Sequence, residues 1–460
     1  MRIYQSLKSK LFPPRDKEFS DKLKTLMLPM IFQQLMTSVV FIFDTIIVAG
    51  LGDEFLGGSG QANLLTGLMW SGLYAISSAG AIYAAQYWGK NKDLTGVRKA
   101  FTTTVVFASF IGIPCFIIGF FFSGPLMSVL AKDQATRDAG SIYLSIMSFS
   151  FLFWMVSAML SSILRATGNT RIPTIASAVS IGINVLMDAV IVYGFLGFPR
   201  WGIRGAALST VIGSAVELFL LIILSRRAKL PITFSKRDFI WPEPKLLKEF
   251  IRAAIPLLSK DQLWHLGNVV YSISFASLGR AATAAYNAYG TLSEILHITF
   301  VAVGGAGGIM IGHMLGAGEI EKAKDYSSRI LRLVILSGIA MFPVFLVLRR
   351  VFMLPFPMLS DQAVIYTMQA LLLISTVVWA RGINFTNMNG ILRAGGDTLG
   401  AAAIDVGMLW GFGVPLILIV TFWLKLPFWA IFSVICIEEV VKVFISMARV
   451  RTHKWAKKLV

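Results

Sequence analysis

Two short apolar stretches hold the residues whose types and spacing point to chemistry. In FIFDTIIVAGLGD, residues 41–53, Asp44 is the one formal charge between Lys24 and Asp53. In INVLMDAV, residues 183–190, Asn184 and Asp188 are four apart and so share a helix face. A carboxylate in the middle of an apolar helix costs at least about 2.5–3.5 kcal/mol on membrane-insertion scales, so it should face protein or water and serve a function. Two such carboxylates near each other in a low-dielectric pocket cannot easily both stay ionised, which makes the pair a proton-binding device. A hard cation is the other neutraliser. Asp44, Asp188, the Asn184 carbonyl and a hydroxyl such as Thr210 form an all-oxygen set suited to Na⁺. The bland reading is a set of hydrogen bonds that glue helices together. The cost of burying two acids with no counter-charge favours function.

Other charges sit in apolar surroundings too. Glu217 is the third acid inside the apolar runs of the first half, after Asp44 and Asp188. The second half has Lys260 with Asp261, Glu294 with His297, Arg381, Asp405, and Glu438, Glu439 and Lys442. Of these, Glu217, Lys260, Asp261, Glu294 and Arg381 are candidate cavity charges. Glu294 and His297 are one turn apart, as are Glu438 and Lys442, so local pairing is expected for both. Lys260 and Asp261 are adjacent and should point to different sides of a helix, one to a cavity and one to a neighbour.

The elements that must position these residues follow from composition. The chain has 460 residues, 56% hydrophobic and 14% charged, with a mean hydropathy of +0.72. Soluble domains run nearer a quarter charged. Residues 61–89, 101–131 and 139–164 contain no charge at all, and a helix crossing a bilayer needs about 20 such residues. A polytopic helical membrane protein is therefore expected. Its net charge of +18 is concentrated in 1–24, 90–99, 226–252, 322–332 and 449–458, between or beyond the apolar runs. That is an orientation signal on one membrane face, and nucleic acid is not an expected partner. Both cysteines, Cys115 and Cys436, fall inside apolar runs, so no disulfide framework is expected. The first apolar run is too long for a cleavable signal peptide.

Twelve spans are expected, at 25–51, 61–89, 98–122, 137–164, 171–196, 204–226, 250–278, 286–315, 328–348, 362–391, 398–424 and 427–448. The even-to-odd loops are rich in Lys and Arg, whereas GLGDEFLGGSG has neither, so both termini are expected to be cytoplasmic. The chain also repeats. Pro29 matches Pro256, Gly52 matches Gly279 and Gly89 matches Gly316, each at a spacing of 227, while Arg165 in SSILRATGNT matches Arg393 in NGILRAGGDT at 228. Two parallel six-helix halves follow, a plan used by transporters. The boundaries read as a basic N-terminus 1–24, a first lobe 25–226, a linker 227–249, a second lobe 250–448 and a basic C-terminus 449–460. At the same offset Asp44 falls on Tyr271, and Asp188 falls near Leu416. The second half has no copy of the acid pair, which assigns the pair to the first half alone.

These anchors also carry a family resemblance. DTIIVAGLG, AAQYWGKNKDLTGVRKA, SSILRATGNTRIP, GINVLMDAVIVYG, GAALSTVIG, ILRAGGDT and the closing HKW resemble segments of the multidrug and toxic compound extrusion (MATE) transporters over nearly the whole chain. The resemblance implies an all-α fold of twelve transmembrane helices in two six-helix bundles, forming a V around a central cavity. It implies export of amphipathic, often cationic compounds in exchange for H⁺ or Na⁺, from a multi-pass protein of the plasma (inner) membrane. It carries the cation or proton site onto Asp44, Asn184, Asp188 and Thr210. It also implies that Pro29 lets the first helix bend when that site changes state; a kink at proline is the plain physical expectation. In another branch of the family the tenth span bears an aspartate, and here that position is Gly382, beside Arg381.

Three readings compete. GLGD at 50–53 matches the GxGD pattern of intramembrane aspartyl proteases, but Asp53 ends a span and its repeat partner is Arg280. A lipid-linked saccharide flippase of the same wider superfamily would hold pyrophosphate with several basic residues, whereas the first half's spans hold acids. A channel fits two unequal halves and one acidic site poorly. The expected protein is thus a monomeric antiporter and not an enzyme. Its partners are a small-molecule substrate and the bilayer, with no cofactor besides the coupling ion. Met and aromatic surfaces adapt to many ligands; Met69, Trp70 and Tyr289 are cavity candidates with no pattern to single them out.

Overall fold

The computed structural model describes residues 16–131, 133–353 and 359–460. Among them there is no strand, and twelve long helical segments follow one another. In the first half these are α1 (Lys17–Ala49), α2 (Asp53–Gly89), α3 (Leu94–Phe121), α5 (Gln134–Ala166), α6 (Arg171–Met187) and α7 (Ile203–Arg227), with the short α4 (Ser123–Leu130) between α3 and α5. In the second half they are α8 (Pro244–Ala276), α9 (Arg280–Gly316), α10 (Ile320–Leu348), α11 (Asp361–Phe385), α12 (Thr398–Met408) continued by α13 (Val414–Leu418), and α14 (Phe428–Arg451). Among the described residues, nine segments are long and apolar enough to cross a membrane by length and composition. The other three are α2, whose apolar run is diluted by glycine and serine, and α8 and α14, which bury Lys260, Glu438 and Lys442.

The helices do not all keep α geometry. Asp188 opens a π-helical turn, Asp188–Val192, at the end of α6. Another, Thr386–Leu392, continues α11, and two more, Leu409–Gly413 and Ile419–Trp423, flank α13. Such turns widen a helix locally and are frequent at functional sites. The first helix starts at Lys17, earlier than the expected span, because the basic residues before the apolar run still favour helix.

The sequence repeat reappears in the backbone. In ILRATGNT, Gly168 has φ +92, and the Asn169 N–H donates to the Leu164 carbonyl at 2.9 Å. In ILRAGGDT, Gly396 has φ +79, and the Asp397 N–H donates to the Leu392 carbonyl at 2.9 Å. Both are the left-handed stop that glycine supplies at a helix C-terminus. Gly52 and Gly279, also matched in sequence, share large positive φ values of 130 and 104 and immediately precede α2 and α9.

The chain divides into two compact units. One is Pro29–Gln262; the other is Leu263–Leu459 with the described residues up to Leu28. In the first unit the basic loop after α7 is folded. Asp238, fully buried, accepts from Thr233 N at 2.9 Å and Oγ1 at 3.0 Å, and from Ser235 N at 3.0 Å, while Arg98 Nε on α3 approaches its other oxygen at 3.2 Å. In the second unit the C-terminal segment buries Trp455 against Gly395, and Arg449 grips Asp397 with two bonds of 2.8 and 2.9 Å. Cys115 and Cys436 are free thiols.

Candidate functional site

Asp44 lies in the last turns of α1, half-buried, and Asp188 lies at the end of α6 with 2% of its surface exposed. Their carboxyl groups face each other within hydrogen-bonding reach. Asn184, one turn before Asp188, completes the contact. Oriented to satisfy both neighbours, its amide nitrogen donates to Asp44 Oδ1 at 3.2 Å and its oxygen accepts from the Thr210 backbone N–H at 3.2 Å. The four residues expected from the sequence therefore meet in one place, on α1, α6 and α7.

Thr210 takes part through its backbone. Its hydroxyl donates to the Ala206 carbonyl of its own helix at 3.1 Å. The hydroxyl that reaches the acids is that of its neighbour Ser209, fully buried, which donates to Asp188 Oδ1. Sequence reasoning missed Ser209 because α7 is rich in small hydroxyl residues, and adjacent positions differ only by a rotation of about 100°. Tyr193, just past the π turn, donates its hydroxyl to the Ile47 carbonyl at 2.9 Å and ties the end of α6 to α1. A site of this kind can share one proton between two carboxyls. It can also present carboxylate, amide and hydroxyl oxygens to a hard cation; the donor set fits either.

Pro29 lies inside α1, fifteen residues before Asp44. Proline cannot donate to the preceding turn. The Thr174 hydroxyl of α6 donates to the Pro29 carbonyl at 3.1 Å and to Thr170 at 2.9 Å, so α6 holds α1 at the proline as well as at the acid.

Among the described side chains, the remaining charges have partners. Glu217 on α7 lies in electrostatic range of Arg165, which donates to Gln33 at 3.3 Å. Arg165 lies inside α5, because that helix runs on through ILRA until the glycine stop, so the first half does hold an arginine within a helix. Lys260 and Asp261 do not point apart as expected: Lys260 Nζ meets Asp261 Oδ1 at 3.0 Å. Four methylenes let the ammonium wrap around the helix to its neighbour. The side chains of Glu294 and His297, like that of Asp53, lie outside the described residues.

The second unit contains a cavity of about 480 Å³ bordered by Arg381, Glu438, Glu439 and Lys442. Lys442 bridges Glu438 at 2.9 Å, the expected one-turn pair, and also Asp405 at 3.0 Å. Tyr271, the repeat counterpart of Asp44, lines the same cavity and donates to Glu438 at 2.5 Å. Tyr289 lines it as well, while Met69 is buried in the first unit and Trp70 is 40% exposed. Gly382 has no room for an acid, since even a Cβ there would meet Phe300 at 2.5 Å.

Comparison with known proteins agrees with this picture. The MatE family model matches residues 29–190 and 262–431, one arm in each half. A probable multidrug resistance protein, YoeA of Bacillus subtilis, is 25% identical over 76% of each chain. An uncharacterized transporter of the same organism, YisQ, is 24% identical over 97% of this chain and 96% of its own. A probable multidrug resistance protein NorM of Thermotoga maritima is 21% identical over 99% and 97%. Among solved structures, an outward-facing multidrug resistance MATE transporter of the MOP superfamily superposes with a TM-score of 0.85 at 15% identity, over 94% of this chain and 96% of that one. A MOP superfamily transporter from Pyrococcus furiosus gives 0.84 at 15% identity over the same shares. The all-helical architecture, the doubled family match and the full-length likeness agree, and the chain belongs to the MatE family of multidrug efflux transporters.

Proposed function

We propose that this chain is an antiporter that exports amphipathic organic compounds carrying a positive charge, in exchange for H⁺ or Na⁺ bound at Asp44 and Asp188. The observation that carries the reading is the convergence of two carboxyls from α1 and α6 within hydrogen-bonding reach, bridged by Asn184 and met by Ser209. A coupling ion must be held in one state and released in another. Two acids that compete for one neutraliser meet that need, and α1 carries a proline through which the site can be opened. Export requires that substrate and ion favour different states, so binding of one drives off the other. The protein acts as a monomer in the plasma (inner) membrane with both termini cytoplasmic. In this reading no cofactor takes part besides the coupling ion.

The test is accumulation of a fluorescent organic cation by everted membrane vesicles under an applied gradient. Asp44→Asn should insert at wild-type levels and lose gradient-driven accumulation, and wild-type accumulation by this variant would refute the assignment.

A further inference from the structure

The stretch between α7 and α8 is folded, and its outward side takes no part in ion coupling at Asp44. Arg226 at the end of α7 donates to the carbonyls of Thr233 at 3.3 Å and Phe234 at 3.1 Å. Ser235 and Asp238 form a reciprocal capping box around the turn Lys236–Asp238. The Asp238 carbonyl accepts from the Thr102 hydroxyl of α3 at 3.3 Å, and Glu243 is taken by Lys99 of α3 at 2.5 Å. Phe234 and Phe239 both pack on Phe101, with ring centres 6.2 and 5.6 Å away. Phe101 opens the uncharged run 101–131, so the loop is pinned where the apolar part of α3 begins.

This frame holds two cations and two rings outward. Lys236 and Arg237 are exposed on the turn itself. Just after it, Phe239 and Trp241, 43% and 70% exposed, alternate with the better-buried Ile240 and Pro242. Arg237 lies 3.9 Å from the Asp238 carboxylate, beyond hydrogen-bonding distance, and that carboxylate is held at 3.2 Å by Arg98. A rigid loop that keeps a tryptophan open beside two cations offers an amphipathic ring at an apolar boundary. Tryptophan is enriched where a bilayer meets water, and basic residues next to a span are drawn to anionic lipid.

We propose that this loop binds an anionic phospholipid, with Lys236 and Arg237 on the headgroup phosphate and Phe239 and Trp241 against the upper acyl chains. A phosphatidylcholine headgroup carries its own ammonium, which the two cations repel, so phosphatidylglycerol is preferred. A soluble phosphate ester would meet the cations but leave the rings in water, so the acyl chains are part of what is recognised. Orientation by positive charge needs only the number of Lys and Arg in a loop; lipid binding here needs the folded turn that sets cations and rings side by side. The inference depends neither on the coupling ion nor on the charge of the exported compound.

The test is fluorescence quenching of the full chain in vesicles that mix phosphatidylcholine and phosphatidylglycerol, with one lipid or the other brominated on acyl carbons near the headgroup. The difference between wild type and Trp241→Phe isolates the signal of Trp241. That signal should show phosphatidylglycerol favoured over phosphatidylcholine by at least about fivefold, the effect of one cation at an anionic surface. Lys236→Gln with Arg237→Gln should erase the preference, and Lys236→Arg with Arg237→Lys should keep it. Arg200→Gln with Arg204→Gln, exposed cations between α6 and α7, should leave it unchanged. Added glycerol phosphate should not release the lipid. Melting temperatures separate a lost site from a lost fold. Equal quenching by the two lipids, no quenching of Trp241, release by glycerol phosphate, or a full preference in the folded double glutamine variant would overturn the proposal. The wild-type arms decide the matter even where a variant fails to fold, and no ion gradient enters the measurement.

Discussion

Asp188 has more partners than its sequence neighbourhood announces. Asn184 is legible, because a spacing of four on a helix puts two side chains on one face. Ser209 is not, since one hydroxyl among many on α7 has no pattern to mark it. Its hydrogen bond to Asp188 is to a chargeable group, worth about 1.5–3 kcal/mol. We therefore expect Ser209→Ala to slow gradient-driven transport by roughly tenfold, with Ser209→Thr keeping most of the wild-type rate. Equal rates in Ser209→Ala and wild type, measured in reconstituted vesicles, would show that the hydroxyl is only packing. Lys260 gives the opposite lesson. Adjacent positions diverge on a helix, but a lysine stem is long enough to cancel the divergence, and the pair closes on itself at 3.0 Å. Short side chains obey helical spacing closely; long ones do not.

Among the elements, α1 is where the local chemistry and the fold meet, because Pro29 and Asp44 share it. Thr174 on α6 donates to the carbonyl of Pro29, and Asn184 on the same helix donates to Asp44. Replacing Pro29 by alanine restores a backbone donor and removes the ring's clash with the preceding turn. Pro29→Ala should raise the melting temperature by a few degrees, while transport falls several-fold. An unchanged transport rate in a more stable variant would separate the proline from the working cycle. The helices themselves were legible because long runs without charge leave few alternatives, and their ends were legible where glycine marks a stop, as at Gly168 and Gly396. The π turn that begins at Asp188 was not. It depends on one extra residue accommodated against neighbouring helices, and nothing in VLMDAVIV distinguishes it from an ordinary α-helix.

At the scale of the whole molecule, one sequence repeat supports two different chemistries. Matched glycines and matched helix stops recur in both halves, yet the position of Asp44 is Tyr271 in the second, where the carboxylate it meets, Glu438, comes from the last helix. The repeat was legible because backbone geometry demands particular residues at its turns; the divergent sites were not, because they arise where no such demand exists. The second-half network is also a large electrostatic commitment. Removing Lys442 would take the ammonium away from the buried Glu438 and from the partly buried Asp405, and breaking a buried pair typically costs about 3–5 kcal/mol. Lys442→Met should therefore melt markedly earlier than wild type, and adding Asp405→Asn with Glu438→Gln should recover much of the loss. A triple variant no more stable than the single one would contradict the pairing. The most direct test of the central claim is efflux from proteoliposomes holding either a pH gradient or a Na⁺ gradient alone, wild type against Asp44→Asn, with substrate counterflow measured in parallel. The account predicts that one gradient drives uphill export by the wild type, and that Asp44→Asn fails to respond to either gradient while still exchanging substrate. Full gradient-driven export by Asp44→Asn would contradict it.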